Sequence, residues 1–329
     1  MPVVTGQQPI GLASIRRIGT GLKRPECVLA DQRGNLYTAD WRGGVAHIRP
    51  DGTQVLYACT LPGNRPARPN GIALRRDGSF LFTDLGTDLG GVFALSRDGT
   101  VRPFLEAVDG IPLPPSNFVV EDAQGRVWIT VSTRHVPRAL GYRHDVADGF
   151  IVLVDRRGAR IVADGLGYTN EVVLDASGNW LYVNETFARV TSRFPVRHDG
   201  SLGQREVFVE HGAGTYPDGM AFDEDGHLWI VSIISNRVLR VSPDRAIATI
   251  VEDCDPEHLA WVERAYIAGE IDRPHLDDVK SQMLRNISSI AFGGTDRRTA
   301  YLGCLLDDAI YAFRSPVAGL APAHWNWPT

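Results

Sequence analysis

The chain has 329 residues, of which 43% are apolar and 22% are charged, and its formal net charge at pH 7 is −5. This composition is typical of a globular protein with a large core, and the charge gives no reason to expect binding to nucleic acid or to an anionic membrane. No stretch approaches 18 uninterrupted apolar residues, so the sequence predicts no transmembrane helix.

The beginning of the sequence and its cysteines indicate a reduced compartment. The segment MPVVTGQQPIGLASIRRIG lacks the basic head and the long apolar run of a secretory signal. The four cysteines are far apart and form no CxxC pair, and three of them lie in apolar, strand-like segments typical of buried thiols. We therefore expect a cytoplasmic protein.

One degenerate unit recurs six times along the chain. Each copy has a polar residue, a short apolar run, a turn rich in Asp, Gly and Asn, and a strand with an aromatic residue or Leu, which predicts a β-hairpin. Two clear copies are NEVVLDASGNWLY and DGMAFDEDGHLW. The six copies start at Glu26, Asn70, Asn117, Asn170, Asp218 and Ser288, at intervals of 44, 47, 53, 48 and 70 residues.

This spacing predicts an all-β fold. A period of about 40 to 50 residues is typical of a propeller blade with four strands, so we expect a six-bladed β-propeller with four-stranded blades. A generic β-sandwich is the main alternative. The whole chain, residues 1–329, would then form a single domain.

The long fifth interval contains an insertion at residues 253–285. The segment PEHLAWVERAYIAG predicts an amphipathic helix, with Pro256 near its start and Gly269 near its end, and HLDDVKSQMLRNI predicts a second short helix. A connection from an outer strand to the next inner strand lies on the rim where the inner strands begin. We therefore expect a helical cap over that rim, with a surface decoration as the alternative.

The last repeat runs out of chain after AIYAFRSP, where the remaining residues are rich in Pro. The early segment SIRRIGT is a strand without an assigned blade. Pairing this N-terminal strand with the last blade would remove both open edges of the ring. We expect blade six to combine three C-terminal strands with this one.

The polar residues that open the six repeats define a candidate site. Inner strands of a propeller surround one channel and begin at the same rim, so these six side chains should converge. Two carboxylates in a narrow channel repel each other, which either raises the pKa of one of them or requires a cation. With no His or Cys in the set, the oxygen ligands favour Ca²⁺, with Zn²⁺, Mn²⁺ and Mg²⁺ as alternatives. An open coordination position would let such a metal polarise a substrate carbonyl.

The segments PECVLAD, SNFVVEDAQGRVW, TNEVVLDASGNWLYVNET and YPDGMAFDEDGHLW resemble the SMP-30/gluconolactonase/LRE family of six-bladed propellers. This resemblance implies one catalytic divalent metal at the channel mouth, with Glu26, Asn117, Asn170 and Asp218 as ligands. It also implies hydrolysis of a lactone, with Asp218 as general base or nucleophile. Related diisopropyl-fluorophosphatase and paraoxonase propellers use a similar ligand set.

One position departs from the family pattern. Members of the animal type that act on sugar lactones carry an Arg two residues before the third-blade Asn, where this chain has Pro115. Specificity for sugar lactones is therefore not predicted.

Further residues are candidates for substrate contacts because of their place near the ring. His135 belongs to the long connection STRHVPRALGYRHDVADG, which should overhang the metal rim, although a plain surface histidine is the simpler interpretation. The complete set of such candidates is Asn70, His135, Tyr168, Tyr216 and Ser288.

The predicted function is that of a metal-dependent hydrolase that opens lactones or related esters of a small-molecule substrate. A phosphotriesterase or arylesterase using the same site is an alternative, as is a lyase or isomerase that uses the metal for enolate chemistry. A non-catalytic propeller that binds proteins or ligands is a further alternative, but such a scaffold does not need two carboxylates in its channel. The pattern leaves the oligomeric state open.

Overall fold

The computed structural model describes residues 9–327, and these form six four-stranded antiparallel sheets. The innermost strands contact one another in the order of the blades, and the inner strand of blade six contacts that of blade one. The ring is therefore closed around a central channel. The predicted six-bladed β-propeller is confirmed.

Each of the first five blades runs from its inner to its outer strand in chain order. The strands of blades one to three are Val28–Ala30, Leu36–Asp40, Gly44–Ile48 and Gln54–Ala58, then Pro69–Leu74, Phe80–Asp84, Gly91–Leu95 and Val101–Leu105, then Ser116–Glu121, Val127–Val131, Gly149–Asp155 and Gly158–Leu166. Those of blades four and five are Thr169–Leu174, Trp180–Glu185, Val190–Pro195 and Glu206–Glu210, then Tyr216–Phe222, Leu228–Ile233, Arg237–Val241 and Ile247–Glu252.

Blade six is built from both ends of the chain. Its three C-terminal strands are Ile287–Gly293, Thr299–Cys304 and Ile310–Arg314, and its outer strand is Arg16–Ile18. Strand Arg16–Ile18 pairs antiparallel with strand Ile310–Arg314, with Arg17 opposite Tyr311. The predicted closure by an N-terminal strand is confirmed.

The repeated turn has a local chemical cause. In blade three the Asp122 carboxylate accepts the main-chain N–H of Arg126 at 2.9 Å and the indole N–H of Trp128 at 2.9 Å. In blade five Asp223 accepts the indole N–H of Trp229 at the same distance. The Asp closes the turn and also anchors a fully buried tryptophan in the blade.

Close packing of the inner strands explains two ring glycines. A Cβ atom at Gly71 would lie 2.6 Å from Cα of Phe118, and one at Gly219 would lie 2.5 Å from Cα of Ser289. No larger residue fits at these positions without moving a neighbouring backbone. The glycines therefore let adjacent inner strands approach closely just below the rim.

The insertion after blade five contains two helices, α1 at Pro256–Ala268 and α2 at Arg273–Asp277. Asp255 caps α1 by accepting the N–H of His258 at 2.7 Å, and Gly269 ends it with φ at +70°. Both boundaries agree with the prediction.

The prediction of a helix over HLDDVKSQMLRNI was mostly wrong. Helix α2 begins before this segment and ends at Asp277. The carboxylate of Asp253 accepts the main-chain N–H groups of Gln282, Met283 and Leu284, at 2.9, 2.7 and 2.7 Å. These donors are held by a distant side chain, so the segment does not continue as a helix.

None of the helices in residues 9–327 is long and apolar enough to cross a membrane.

The remaining elements are short. Two small hairpins and three 3₁₀ turns lie between the main strands: Thr60–Leu61 with Arg65–Pro66, Ala107–Val108 with Ile111–Pro112, Leu12–Ser14, Pro62–Asn64 and Arg138–Gly141.

Candidate metal centre

The residues that open the six repeats are all buried. Each side chain belongs to a residue with 6% exposure or less: Glu26, Asn70, Asn117, Asn170, Asp218 and Ser288. They lie on or just before the six inner strands, which form the closed ring. Buried polar side chains at one end of such a ring need partners or a ligand.

Asn70 connects the first three blades. Its Nδ2 atom donates to Oε1 of Glu26 at 2.6 Å, and it also lies 3.0 Å from the main-chain oxygen and 3.2 Å from Oδ1 of Asn117. These contacts bring together the side chains of Glu26, Asn70 and Asn117, three of the six residues expected to converge. They also fix the position of one carboxylate and one amide oxygen.

The amide groups of Asn117 and Asn170 are oriented by hydroxyl groups. Nδ2 of Asn117 donates to Oγ of Ser132 at 2.8 Å, and Nδ2 of Asn170 donates to Oγ1 of Thr186 at 3.0 Å. With the nitrogen held, the amide oxygen points away from the hydroxyl. Both asparagines thus present an oxygen acceptor on the side opposite their anchor.

Three buried oxygens of the ring accept no hydrogen bond from a described residue: Oδ1 of Asn70, Oδ1 of Asn170 and Oδ1 of Asp218. A buried oxygen without a donor costs free energy, and most native proteins avoid it. Three of them in one ring, beside the Glu26 carboxylate, match the donor set that a hard divalent cation requires. The residues therefore fit a metal ion.

The electrostatics of Asp218 agree with this interpretation. Burial raises the pKa of Asp218 well above its usual range, and the charges of Glu26 and Glu171 raise it further, while Arg24 and Arg138 oppose the shift. From protein groups alone, the ionised carboxylate is thus unfavourable at this position. A cation would stabilise it.

Glu171 is a residue that the sequence reasoning missed. It follows Asn170 on the inner strand of blade four, is buried, and accepts the N–H of Met220 at 3.2 Å. Burial raises the pKa of Glu171 to about 8. The sequence did contain a signal for Glu171: it is the only carboxylate at the second position of a repeat, where the other five repeats have Cys, Gly, Phe, Gly and Ser.

Arg24 and Arg138 were also missed. Nη2 of Arg24 lies 3.1 Å from Oε2 of Glu26, and its guanidinium lies 4.6 Å from the ring centre of Trp41. Nε of Arg138 donates to the hydroxyl of Tyr168 at 2.8 Å, and Nη2 lies 3.4 Å from Oγ of Ser132, the anchor of Asn117. The long connection of blade three therefore reaches the ring.

The other substrate-contact candidates occupy different environments. The side chain of His135 is 44% exposed, and its nearest charged partner is Asp148 at 3.9 Å. The hydroxyl of Tyr216 donates to Glu263 of α1 at 2.7 Å, so it faces this helix. Ser288 donates to the main-chain oxygen of Glu26 at 3.0 Å and supports the ring through the backbone. No hydrogen bond or ion pair joins His135 to a ring residue within residues 9–327.

A second group of side chains that could bind a metal lies on the turn of blade five. It consists of Asp223, Asp225 and His227. Nε of Arg240 contacts Asp223 at 2.7 Å, and its Nη2 contacts Asp225 at 3.0 Å. A guanidinium that pairs with both carboxylates takes the place of a cation. We therefore do not assign a metal site to this turn.

Below the ring, the channel forms a cavity of about 350 Å³. Its walls are mainly apolar residues of the inner strands, such as Ile72, Phe118 and Met220, and Glu171 lies among them. The C-terminal segment 320–324 borders the cavity.

These features define a class of protein: a six-bladed β-propeller with buried, oxygen-bearing side chains where the inner strands of its channel begin. Residues 65–257 match the model of the SMP-30/Gluconolactonase/LRE-like region, and the chain belongs to this family.

Comparison with individual proteins gives more distant similarities. Over 184 residues the chain is 29% identical to the 6-deoxy-6-sulfogluconolactonase of Pseudomonas putida, an alignment that covers 55% of this chain and 50% of that protein. The match thus spans about half the length of this curated relative.

Two solved structures share the fold over almost the full length. A gluconolactonase from Xanthomonas campestris has a TM-score of 0.68 at 16% identity, covering 96% of this chain and 97% of that chain. The calcium-binding protein regucalcin from Agrobacterium tumefaciens has a TM-score of 0.67 at 17% identity, covering 92% and 95%. At these identities, the similarity establishes the fold alone.

Proposed function

We propose that this chain is a metal-dependent hydrolase that opens a lactone or a related ester of a small molecule. In this proposal Glu26, Asn117, Asn170 and Asp218 hold one divalent cation, with Ca²⁺ as the expected ion. The observation that carries the proposal is the set of unpaired buried oxygens in the ring, which includes those of Asn170 and Asp218. Membership of a family that includes lactonases supports the choice of substrate.

The expected chemistry follows from the charge and position of the ring residues. When bound, the cation would polarise the substrate carbonyl and stabilise the negative charge that develops on its oxygen. Asp218 would be ionised beside the cation and would accept a proton from the attacking water. The new bond joins the water oxygen to the carbonyl carbon, the ring C–O bond breaks, and the alkoxide leaving group takes up a proton.

The remaining ring residues would position these groups. We assign Asn70 to holding Glu26 and Asn117, since its amide contacts both. Its own free Oδ1 stays available to a ligand. The hydroxyl of Tyr168 accepts a hydrogen bond from Arg138, so Tyr168 would help to position that guanidinium group.

We further propose that the chain acts as one domain and that α1 forms a wall of the substrate pocket. Val262 and Ala265 of α1 pack in one apolar cluster with Tyr168 and Tyr216, which come just before the ring residues Asn170 and Asp218. The helix therefore lies close to the proposed metal ligands Asn170 and Asp218. A fixed cap at this place would limit substrate size and exclude water.

A substrate panel tests the activity. Purified protein would be treated with a chelator, then supplied with Ca²⁺, Mn²⁺, Mg²⁺ or Zn²⁺, and assayed against lactones, aryl esters and phosphotriesters. We expect lactone hydrolysis that disappears on chelation and returns with one metal. Hydrolysis of phosphotriesters or aryl esters alone would replace lactonase by the corresponding activity, and no turnover of any class would refute the proposal.

Metal binding can be tested without turnover. A cation that binds the folded protein raises the free energy of unfolding by about 2.7 kcal/mol at a concentration 100 times its dissociation constant. We expect the melting temperature to fall on chelation and to rise with added Ca²⁺ in the wild type. A double variant Asn170→Ala/Asp218→Ala should lose the response, and an equal response in both proteins would place the cation elsewhere.

A further inference from the structure

No carboxylate of residues 9–327 pairs with the guanidinium group of Arg138. It is half-buried, and its hydrogen bonds go to the neutral hydroxyls of Tyr168 and Ser132. Its Nη1 atom donates to no acceptor within residues 9–327. By contrast, Arg134 and Arg143 in the same connection pair with Asp164 and Asp145.

Arg138 acts electrostatically on the ring. The charged side chains that affect Asp218 most are Glu26, Glu171, Arg24 and Arg138. The carboxylates of Glu26 and Asp218 would balance the two charges of a dication. Arg24 lies beside Glu26, but the guanidinium groups of Arg24 and Arg138 still leave the summed charge of the site positive. A charged Glu171 would cancel one of them, so the loaded site stays positive in either protonation state of Glu171.

The reaction itself does not supply the missing negative charge. When Asp218 takes a proton from water, the negative charge moves from its carboxylate to the substrate oxygen, and the total charge of the site stays the same up to that point. The surplus positive charge is therefore complementary to a charge that the substrate brings with it.

We propose that the preferred substrate is a lactone or ester with a second, anionic group, and that Arg138 binds this group. A carboxylate, sulfonate or phosphate offers the acceptor oxygens that a guanidinium binds with two parallel hydrogen bonds. The substrate part of this inference rests on the proposed hydrolase function. Its binding part, the recognition of an anion by Arg138, does not.

A matched pair of lactones tests the preference. D-glucaro-1,4-lactone carries a free carboxylate where D-glucono-1,4-lactone has a hydroxymethyl group. For the wild type we expect kcat/KM to be about 10 to 100 times higher for the first, the range for a hydrogen bond to a charged group. Arg138→Gln should remove most of this preference, Arg138→Lys should keep part of it, and the same-loop control Arg134→Gln should leave it unchanged.

Equilibrium binding gives a readout that needs no turnover. Titration calorimetry of the Ca²⁺-loaded protein would compare D-glucarate, with two carboxylates, and D-gluconate, with one. We expect tighter binding of D-glucarate in the wild type and a loss of the difference in Arg138→Gln. Melting curves would show whether each variant is folded. If a variant does not fold, the comparison of the two ligands with the wild type still tests the preference for an anionic group.

The outcomes separate the two proposals. Arg138-dependent binding of D-glucarate without turnover of any compound in the substrate panel would support the anion site and refute the hydrolase function. Equal hydrolysis of both lactones, or an equal loss for both in Arg138→Gln, would refute the anion preference and leave the lactonase function standing. No turnover across the substrate panel together with no preference for D-glucarate would refute both.

Discussion

Nδ2 of Asn70 donates a hydrogen bond to Oε1 of Glu26 at 2.6 Å, which joins the inner end of blade two to that of blade one. The same nitrogen lies 3.2 Å from Oδ1 of Asn117 in blade three. One amide thus determines where two of the proposed metal ligands lie relative to each other. Residues that hold metal ligands in place orient those ligands and tune the affinity for the metal.

We predict that Asn70→Ala lowers the affinity for Ca²⁺ by about 10-fold to 100-fold, the usual effect of losing such a partner. Calorimetric titration of the variant and the wild type measures this. Ser288→Ala is the matched control, since Ser289 donates to the same main-chain oxygen of Glu26 and remains in place. An affinity unchanged in Asn70→Ala, or reduced equally in the control, would contradict the role of Asn70.

The second prediction concerns Asp218→Asn. The variant keeps an oxygen at the ligand position but loses the base, so kcat/KM should fall by about 10²-fold to 10⁴-fold. The fold should remain intact, because the side chain makes no hydrogen bond through Oδ1 that the amide would break. Rates would be measured at saturating metal, so that weaker metal binding is not mistaken for loss of the base. Activity within a few-fold of the wild type would exclude the assigned role.

The propeller could be predicted from the sequence because its signals are local. Each hairpin carries its own turn, and Asp122 and Asp223 close theirs with residues only a few positions away. Because the repeats are related by the symmetry of the propeller, the polar residues at their starts all lie at the same rim. That is why Glu26 and Asn117 could be placed near each other without a structure.

Other parts of the site depend on contacts between distant segments. Arg138 lies three positions after His135, and only the path of the connection decides which of the two meets Ser132 beside the ring. The prediction of the second helix was mostly wrong for a similar reason. Asp253 accepts hydrogen bonds from main-chain N–H groups about 30 positions later, such as that of Leu284. No local pattern predicts such a contact.

The third prediction concerns the pH dependence of stability. His211 is buried, with Nε2 2.9 Å from the hydroxyl of Thr191 and no partner for Nδ1 among the described residues. Burial lowers the pKa of His211 from its usual value near 6.5 to about 4. Between these values the unfolded chain binds a proton that the folded chain excludes, so this histidine destabilises the protein as the pH falls.

We expect the free energy of unfolding of the wild type, relative to His211→Gln, to drop by about 2 kcal/mol between pH 7 and pH 5. Urea unfolding of both proteins at the two pH values measures the difference. His47 and His324 also have a pKa of about 4, but both proteins retain them, so their contribution cancels. Parallel pH profiles for the two proteins would show that His211 is not the group responsible.

The last prediction concerns the attachment of the cap. Glu263 of α1 accepts hydrogen bonds from Arg189, from the hydroxyl of Tyr216 at 2.7 Å and from the N–H of Gly214 at 3.0 Å. The side chains of Arg189 and Glu263 are only 10% and 18% exposed. Removing one partner of such a pair leaves a buried charge uncompensated and costs about 3 kcal/mol.

Glu263→Gln should therefore loosen α1 while the propeller and the proposed metal ligands keep their places. We expect faster hydrogen exchange within residues 253–285, an unchanged affinity for Ca²⁺ and a raised KM for the preferred substrate, because the wall of the pocket is no longer fixed. Glu257→Gln, which removes an exposed charge from the first turn of the same helix, is the matched control. If exchange increases in Glu263→Gln but the kinetics across the substrate panel stay the same, then the helix is a surface decoration and takes no part in substrate selection.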